Sequence, residues 1–159
     1  MIFSINIPVK IISGRGCLLA NQQELLLGKR AMIVTRNAGA KSSGALADVC
    51  KVLDDNKITY SVVSAIPANP PLLEAYNTGK QAADFNADLI IGIGGGSAMD
   101  AAKAVAAFAA NPDISPEDIF VSSNLVKGAL PIVLVPTTAG TGSEANPYSV
   151  LSLPDGERK

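Results

Sequence analysis

Short apolar runs alternate with segments of helical periodicity along this 159-residue chain, and that alternation restricts the fold more than any other feature. Four runs rich in Val, Ile and Leu have the sequences AMIVT (residues 31–35), ITYSVV (58–63), ADLIIGIG (87–94) and PIVLV (131–135). Strands buried on both faces have this composition. Strands that alternate with helices predict a parallel sheet, and right-handed crossovers make it a doubly wound, Rossmann-like α/β domain with helices on both faces.

Further elements are predicted around these four strands. Strands are expected at FSINIP and VKIIS (residues 3–8 and 9–13) and at residues 148–153, and helices at residues 17–27, 42–56, 71–86 and after the triple glycine. The strand at 148–153 leads into a Pro-Asp-Gly turn, and a hairpin needs a returning strand. We therefore expect residues 1–159 to be one domain truncated at its C-terminal end, although a frayed natural end would give the same pattern.

Composition narrows the function classes. The formal net charge is -1 and no long basic run occurs, so we expect no nucleic-acid partner. No apolar stretch has the length of a membrane span, and the N-terminus lacks the features of a signal peptide. Two isolated cysteines fit a reducing cytoplasm, where we expect the protein to reside. The chain has no histidine, which excludes a histidine base and leaves few first-choice ligands for zinc or iron.

Three consecutive glycines, Gly94, Gly95 and Gly96, stand where the strand ADLIIGIG becomes an alanine-rich helix. A phosphate can approach such a turn closely, because its N–H groups and the helix dipole favour an anion. Ser97 can cap the helix or donate its hydroxyl to a phosphate. The turn is neither GxGxxG nor a P-loop, so a tight turn without a ligand is an equally open interpretation.

Two charged residues follow on the helix. Asp100 and Lys103 are the only charges in residues 90–110, and a spacing of three places them on one helix face. They form either a surface ion pair or a polar face directed into a cleft, and the nearby glycines favour the cleft.

A second cluster, VPTTAGTGSEAN (residues 135–146), follows the last predicted strand. Thr137, Thr138 and Thr141 offer hydroxyl groups, and the glycines between them permit close backbone approach. Because ligands of doubly wound sheets bind beyond the carboxyl ends of the strands, both clusters are expected at one site. Glu144 either caps that site or lies in solvent.

Together these segments resemble the iron-dependent (group III) alcohol dehydrogenase family of the dehydroquinate synthase-like superfamily. The resemblance is carried by GGGSAMDAAKA (residues 94–104) and PTTAGTGSEA (136–145), with weaker landmarks at VTRNAGAKSSG (34–44) and the Ala-Asn-Pro step at 68–70. It covers nearly the whole chain, and the two main motifs are specific in their order and spacing.

The resemblance implies an N-terminal domain that binds NAD or NADP. By the family pattern, Gly95, Gly96 and Ser97 hold the pyrophosphate, and Asn69 lies near the cofactor. The three threonines line it near its adenine and nicotinamide portions, and Asp100 matches the signature in type and place.

The resemblance also implies a second, all-helical domain that binds iron or zinc, and a parent enzyme that transfers hydride between the dinucleotide and an alcohol or aldehyde. We expect the present chain to bind the cofactor without catalysing, and a homodimer that uses the FSINIP segment is a further expectation. A non-catalytic nucleotide-binding module and a glycerol dehydrogenase-like relative are the alternatives.

One position departs from many NAD-using relatives. They have an acidic residue directly after the Val-Thr pair, where it bonds the ribose hydroxyls and repels a 2′-phosphate. Arg36 occupies that position here, and a guanidinium favours a 2′-phosphate. The sequence therefore slightly favours NADP over NAD, with a solvated arginine as the alternative.

Overall fold

A four-stranded parallel sheet forms the centre of the fold in a computed structural model that describes residues 9–64, 66–120 and 128–153. Its strands are β1 (Arg30–Thr35), β2 (Thr59–Val63), β3 (Leu89–Gly94) and β4 (Ile132–Pro136). They lie in the order β2-β1-β3-β4, and every neighbouring pair is parallel. Each strand overlaps one of the four predicted apolar runs to within a residue or two at each end, which confirms the predicted doubly wound sheet.

Helices cover both faces of this sheet. The α-helices are α1 (Cys17–Ala20), α2 (Asn37–Ser42), α3 (Ala45–Asp55), α4 (Leu72–Asp84) and α5 (Gly96–Ala110), and 3-10 turns occur at Gln22–Leu25, Glu117–Phe120 and Ser143–Ala145. One face packs against α3, whose Val49 and Leu53 share a core with Ile33. The other face packs against α5, whose Ala102 shares a core with Met32. The alternation of side chains along β1 thus supplies both cores.

Helix α4 packs against α5, and its Ala82 belongs to the same core as Met32 of β1. A Cβ built on Gly79 would lie 2.4 Å from the Cβ of Phe108, so the two helices approach closely because residue 79 has no side chain. The ring of Tyr76 meets the buried Phe108 ring edge-on, with centroids 5.3 Å apart and planes at 81°. The described residues contain no separate all-helical domain, and none of their helices is long and apolar enough to cross a membrane.

Two predictions near the N-terminus are wrong. Residues 9–13 are exposed and form no strand, although β-branched residues dominate them, because composition alone does not supply a neighbouring strand. The helix predicted over residues 17–27 is broken, since the Asn21 side chain donates to the Cys17 carbonyl at 2.8 Å and ends α1. The strand predicted at residues 3–8 lies outside the described residues.

The strand predicted over residues 148–153 is also wrong. This segment forms only one isolated parallel bridge, between Ser152 and Pro71. Ser152 donates its N–H to the Pro70 carbonyl, and its own carbonyl accepts from Leu72, both at 2.9 Å. Because helix α4 begins at Leu72, the partner segment ends after two hydrogen bonds. The predicted Pro-Asp-Gly turn lies outside the described residues.

Candidate functional site

A cleft of about 500 Å³ opens at the carboxyl edge of the sheet. It lies where β1 and β3, which are neighbours, lead to helices on opposite faces, and ligands of doubly wound sheets bind at this switch point. Its lining residues are Arg36, Gly39, Ser64, Ile66, Gly94, Gly95, Gly96, Ser97, Ala98, Thr137 and Thr138. Seven of the ten predicted site residues are in this set.

The glycine turn forms the floor of the cleft. Gly95 is the N-cap of α5, and its carbonyl accepts the N–H groups of both Ala98 and Met99 at 3.1 Å. By helix geometry, the N–H groups of Gly96 and Ser97 have no acceptor within the helix. The positive end of a 15-residue helix and two available donors therefore lie at the cleft.

Gly92 and Gly94 let α5 approach β3 closely. A Cβ on Gly92 would lie 2.7 Å from the Cβ of Ala102, and one on Gly94, whose φ is 151°, would lie 2.7 Å from the Cβ of Ala98. These two positions therefore require glycine for packing, whether or not a ligand binds. Gly95 and Gly96 meet only threonine side chains, so their missing side chains leave space at the cleft.

The threonine segment lies directly beside the glycine turn. Thr137 donates its N–H to the Gly94 carbonyl at 2.8 Å, which extends the pairing with β3 one residue beyond the end of β4. A Cβ built on Gly95 would lie 3.1 Å from the Thr138 hydroxyl, and one on Gly96 would lie 3.5 Å from the Cβ of Thr141. The two sequence clusters thus meet at one edge of the sheet.

Thr141 lies just outside the cleft. Its hydroxyl donates to a carboxylate oxygen of Glu144 at 3.2 Å. Glu144 is half-buried, bonds to its own segment and does not line the cleft. Cofactor contact by Thr141 stays a prediction.

Asn69 lies at the rim, beside Ser97. Its backbone N–H donates to the Ser97 hydroxyl at 3.4 Å, and its carbonyl accepts from the Ser152 hydroxyl at 3.3 Å. Its φ of 51° is in the left-handed region, which asparagine tolerates better than most residues. Asn69 is not a lining residue, and its contact with a cofactor stays a prediction.

Asp100 and Lys103 do form an ion pair, at 3.4 Å, yet the pair is neither at the surface nor in the cleft. Only 14% of the Asp100 side chain and 9% of the Lys103 side chain are exposed. Ser143 covers the pair, donating to Asp100 at 2.6 Å and accepting from Lys103 at 2.8 Å. Burial lowers the pKa of Lys103, and the Asp100 carboxylate opposes that shift. The expected position of Asp100 in the cleft is therefore wrong, and its contact with a cofactor stays a prediction.

Arg36 lies at the other end of the cleft, directly after β1. It is exposed and stands at the N-cap of α2 with an extended backbone. Its side chain therefore contributes a positive charge to the cleft wall on the β1 side.

Four lining residues were missed by the sequence analysis, and one of them, Ala98, directly follows Ser97 on α5. Ser64 directly follows β2, so the strand-end rule that selected the other clusters also applies to it. Gly39 lies in the short helix α2, and a Cβ there would lie 3.4 Å from the Thr137 hydroxyl. Ile66 belongs to the buried core as well as to the cleft, and nothing in its sequence context distinguishes it.

The residues present suit a dinucleotide but not a metal. A pyrophosphate needs a glycine cradle at a helix N-terminus, and the cleft has one. A metal centre needs a cluster of His, Cys, Asp or Glu ligands, and the described part of the chain holds no group of three such side chains. The chain also has no histidine.

Comparisons with known proteins agree with this geometry. A family model described as iron-containing alcohol dehydrogenase matches residues 8–159. A sulfoacetaldehyde reductase of Bilophila wadsworthia is 36% identical over 146 residues, which are 90% of this chain and 37% of that protein. The NADH-dependent butanol dehydrogenase B of Clostridium acetobutylicum is 30% identical over 158 residues, covering 99% of this chain and 40% of that protein.

Solved structures give the same result. The crystal structure of an iron-containing alcohol dehydrogenase from Thermotoga maritima superposes with a TM-score of 0.92 at 37% identity. The match covers 99% of this chain and 44% of that one. The chain thus spans less than half the length of each of these relatives.

Proposed function

Because the chain belongs to the iron-containing alcohol dehydrogenase family, as its motifs suggested, we propose that its cleft binds NAD or NADP. One observation carries the proposal: the glycine turn and the threonine segment meet at the switch point of the sheet, around a helix N-terminus with free donors. That is the combination which pyrophosphate recognition requires.

In this proposal the pyrophosphate lies on the glycine turn. The N–H groups of Gly96 and Ser97 and the Ser97 hydroxyl donate to its oxygens, and the helix dipole adds to the attraction. The Thr137 and Thr138 hydroxyls supply further donors from the segment that follows β4, and the adenosine extends toward Arg36, directly after β1. Hydrogen bonds to a charged group each contribute about 1.5–3 kcal/mol, so these donors supply much of the attraction for the pyrophosphate.

We further propose that the chain is the nucleotide-binding part of an oxidoreductase that acts on alcohols or aldehydes. The bound nicotinamide supplies or accepts the hydride, while this chain binds and orients it. The names of the two relatives above, a reductase of an aldehyde and a dehydrogenase of an alcohol, support this substrate class. Because the described residues offer no metal cluster, we expect the 159-residue chain to bind the dinucleotide without oxidising an alcohol.

Calorimetric titration of the chain with NAD and with NADP tests the binding proposal. We expect saturable 1:1 binding of at least one of them. The absence of binding for both, in a chain whose circular dichroism shows the folded α/β content, would contradict it. Alcohol oxidation by the same sample, followed by the absorbance of the reduced nicotinamide, would contradict the expected inactivity.

We propose a preference for NADP, on the strength of Arg36. Its guanidinium stands at the end of β1, where an acidic residue would repel a 2′-phosphate. We expect Arg36→Asp to lower the ratio of NADP to NAD affinity about tenfold, the effect of about 1.4 kcal/mol. Arg15→Asp makes the same charge change at an exposed position that does not line the cleft, and it should leave the ratio unchanged. An unchanged ratio in Arg36→Asp would refute the preference.

Two coarser proposals come from the sequence. A homodimer through residues 3–8 is testable by sedimentation equilibrium, although that segment lies outside the described residues. A cytoplasmic location is supported by Cys17 and Cys50, both half-buried free thiols, because a reducing compartment keeps thiols free.

A further inference from the structure

The ammonium group of Lys103 connects helix α5 to the segment that follows β4. Its Nζ donates to the Tyr148 carbonyl at 2.6 Å and to the Ser143 hydroxyl at 2.8 Å. The side-chain oxygens of Asn146 and Asp100 lie at 3.4 Å. Only 9% of the Lys103 side chain is exposed, so these partners replace the water that a charged amine otherwise requires.

This group of contacts continues toward the cleft. Ser143, which Lys103 holds by its hydroxyl, donates its own N–H to the Thr141 hydroxyl at 3.4 Å. Thr141 in turn lies beside Gly96, where its Cβ is 3.5 Å from a built Cβ. At the other end of the segment, Thr137 is fixed to Gly94 by the 2.8 Å backbone hydrogen bond.

Residues 137–148 are therefore fixed at both ends by different means. The strand pairing holds the beginning, while Lys103 holds the end through three residues of the segment. Between these points lie Gly140 and Gly142, both with positive φ, where the backbone gains no support from bulky side chains. Without Lys103, the Asp100 carboxylate would keep its hydrogen bond from Ser143 but lose its positive partner. The end of the segment would lose its hydrogen bonds from the ammonium group.

We propose that Lys103 is a positioning residue for dinucleotide binding, which acts by holding residues 137–148 against the glycine turn. The proposal depends on the proposed function, since it concerns the affinity of the same cleft. Lys103 itself touches no part of the cleft, so it acts through Ser143 and Thr141 and not by contact with the ligand.

The test compares Lys103→Met and Lys103→Arg with the wild-type chain, and uses Lys51→Met as a matched control. Lys51 also pairs with an aspartate on its own helix, Asp55 at 2.9 Å, but that pair is exposed and lies away from the cleft. Hydrogen exchange without nucleotide and calorimetric titration with NAD and NADP are measured on all four proteins. Ser143→Ala serves as a second route to the same loss if Lys103→Met does not fold.

We expect Lys103→Met to accelerate amide exchange within residues 137–148 and to weaken nucleotide binding about tenfold. Lys103→Arg should recover part of the affinity because it keeps the positive charge, and Lys51→Met should behave as wild type. Ser143→Ala should weaken binding by a smaller factor.

A pH series separates positioning from general destabilisation. Burial lowers the pKa of Lys103, while Asp100 on its own helix and Glu144 on the covering segment raise it. As the pH rises through this lowered pKa toward 10.5, wild-type affinity should fall because the ammonium is lost. Lys103→Arg should keep its affinity over the same window, because a guanidinium stays charged.

The outcomes are distinguishable. Failure of the wild-type chain to bind either nucleotide would refute the proposed function. Binding by the wild type that Lys103→Met leaves unchanged would overturn the positioning role alone, as would equal losses in Lys103→Met and Lys51→Met.

Discussion

A methyl group added at residue 92 tests how closely the glycine-rich strand approaches α5. In Gly92→Ala the new Cβ would lie 2.7 Å from the Cβ of Ala102 and 2.8 Å from a methyl of Leu134. Carbon atoms pack at about 3.5 Å or more, so each contact is too short by about 0.7–0.8 Å. The leucine methyl can turn away, but Ala102 is fixed to its helix, and α5 must move from β3. Such overpacking lowers stability by about 1–3 kcal/mol. Alanine also reduces the conformational entropy of the unfolded chain, which offsets about 0.4–1 kcal/mol of that loss.

At the middle of both ranges the expected net loss is about 1.3 kcal/mol, or a fall in Tm of about 3–5 °C for a chain of this size. Urea denaturation followed by circular dichroism measures it, and an unchanged slope confirms that only the native packing is affected. A Tm within about 1 °C of the wild-type value would show that β3 and α5 do not approach this closely.

The matched control is Gly95→Ala, the same chemical change three residues further on. Gly95 has extended backbone angles that alanine adopts freely, and its Cβ would meet only the Thr138 hydroxyl, at 3.1 Å. Alanine is a poorer N-cap than glycine, so we expect a loss of stability smaller than that of Gly92→Ala, while the affinity for the dinucleotide falls about tenfold as the methyl fills the cradle. Equal effects of the two variants on stability would contradict this division of the glycines.

Two further predictions concern single polar groups. The Asp88 carboxylate accepts the N–H groups of Lys29 and Arg30 at 2.8–2.9 Å, at the start of β1. Asp88→Ala removes this acceptor, and we expect urea denaturation to show a loss of about 1–3 kcal/mol in the free energy of unfolding. Wild-type stability in this variant would contradict the prediction. The pKa of Tyr60 is raised from 10.0 to about 12, first by a hydrogen bond with the Cys50 thiol, so its phenol should titrate near 12 by ultraviolet absorbance. Between pH 10 and pH 12 the folded state keeps this proton while the unfolded state loses it, so stability should fall as the pH rises over this range. Tyr60→Phe should lose this part of the pH dependence. An equally steep fall of stability with pH in Tyr60→Phe and in wild type would refute the assignment.

The sheet and the edge that holds the cleft were predictable from local patterns. The apolar runs of β1 and β3 are long enough to indicate strands buried on both faces, and the rule for parallel sheets then brings their carboxyl ends together. That rule placed the three glycines and Thr137 at one edge, where the cleft is found.

What could not be predicted depends on contacts distant in sequence. The spacing of Asp100 and Lys103 fixed their common face, but what covers that face comes from Ser143, forty residues away from Lys103. The strand expected at residues 148–153 needed a partner, and among the described residues it pairs only with the short turn before α4. Helix periodicity likewise could not show that Asn21 would bond back to Cys17 and end α1.

The wall of the cleft takes a residue from beyond the end of every strand: Arg36, Ser64, Gly95 and Thr137. The cleft is therefore complete only after all four strands have paired. The first and last strands are separated by about a hundred residues, and contacts between residues so distant in sequence slow folding. A nucleotide at a hundred times its Kd stabilises only the completed arrangement, by about 2.7 kcal/mol. Nucleotide present during refolding should consequently leave the early collapse unchanged and capture the chain at its final step.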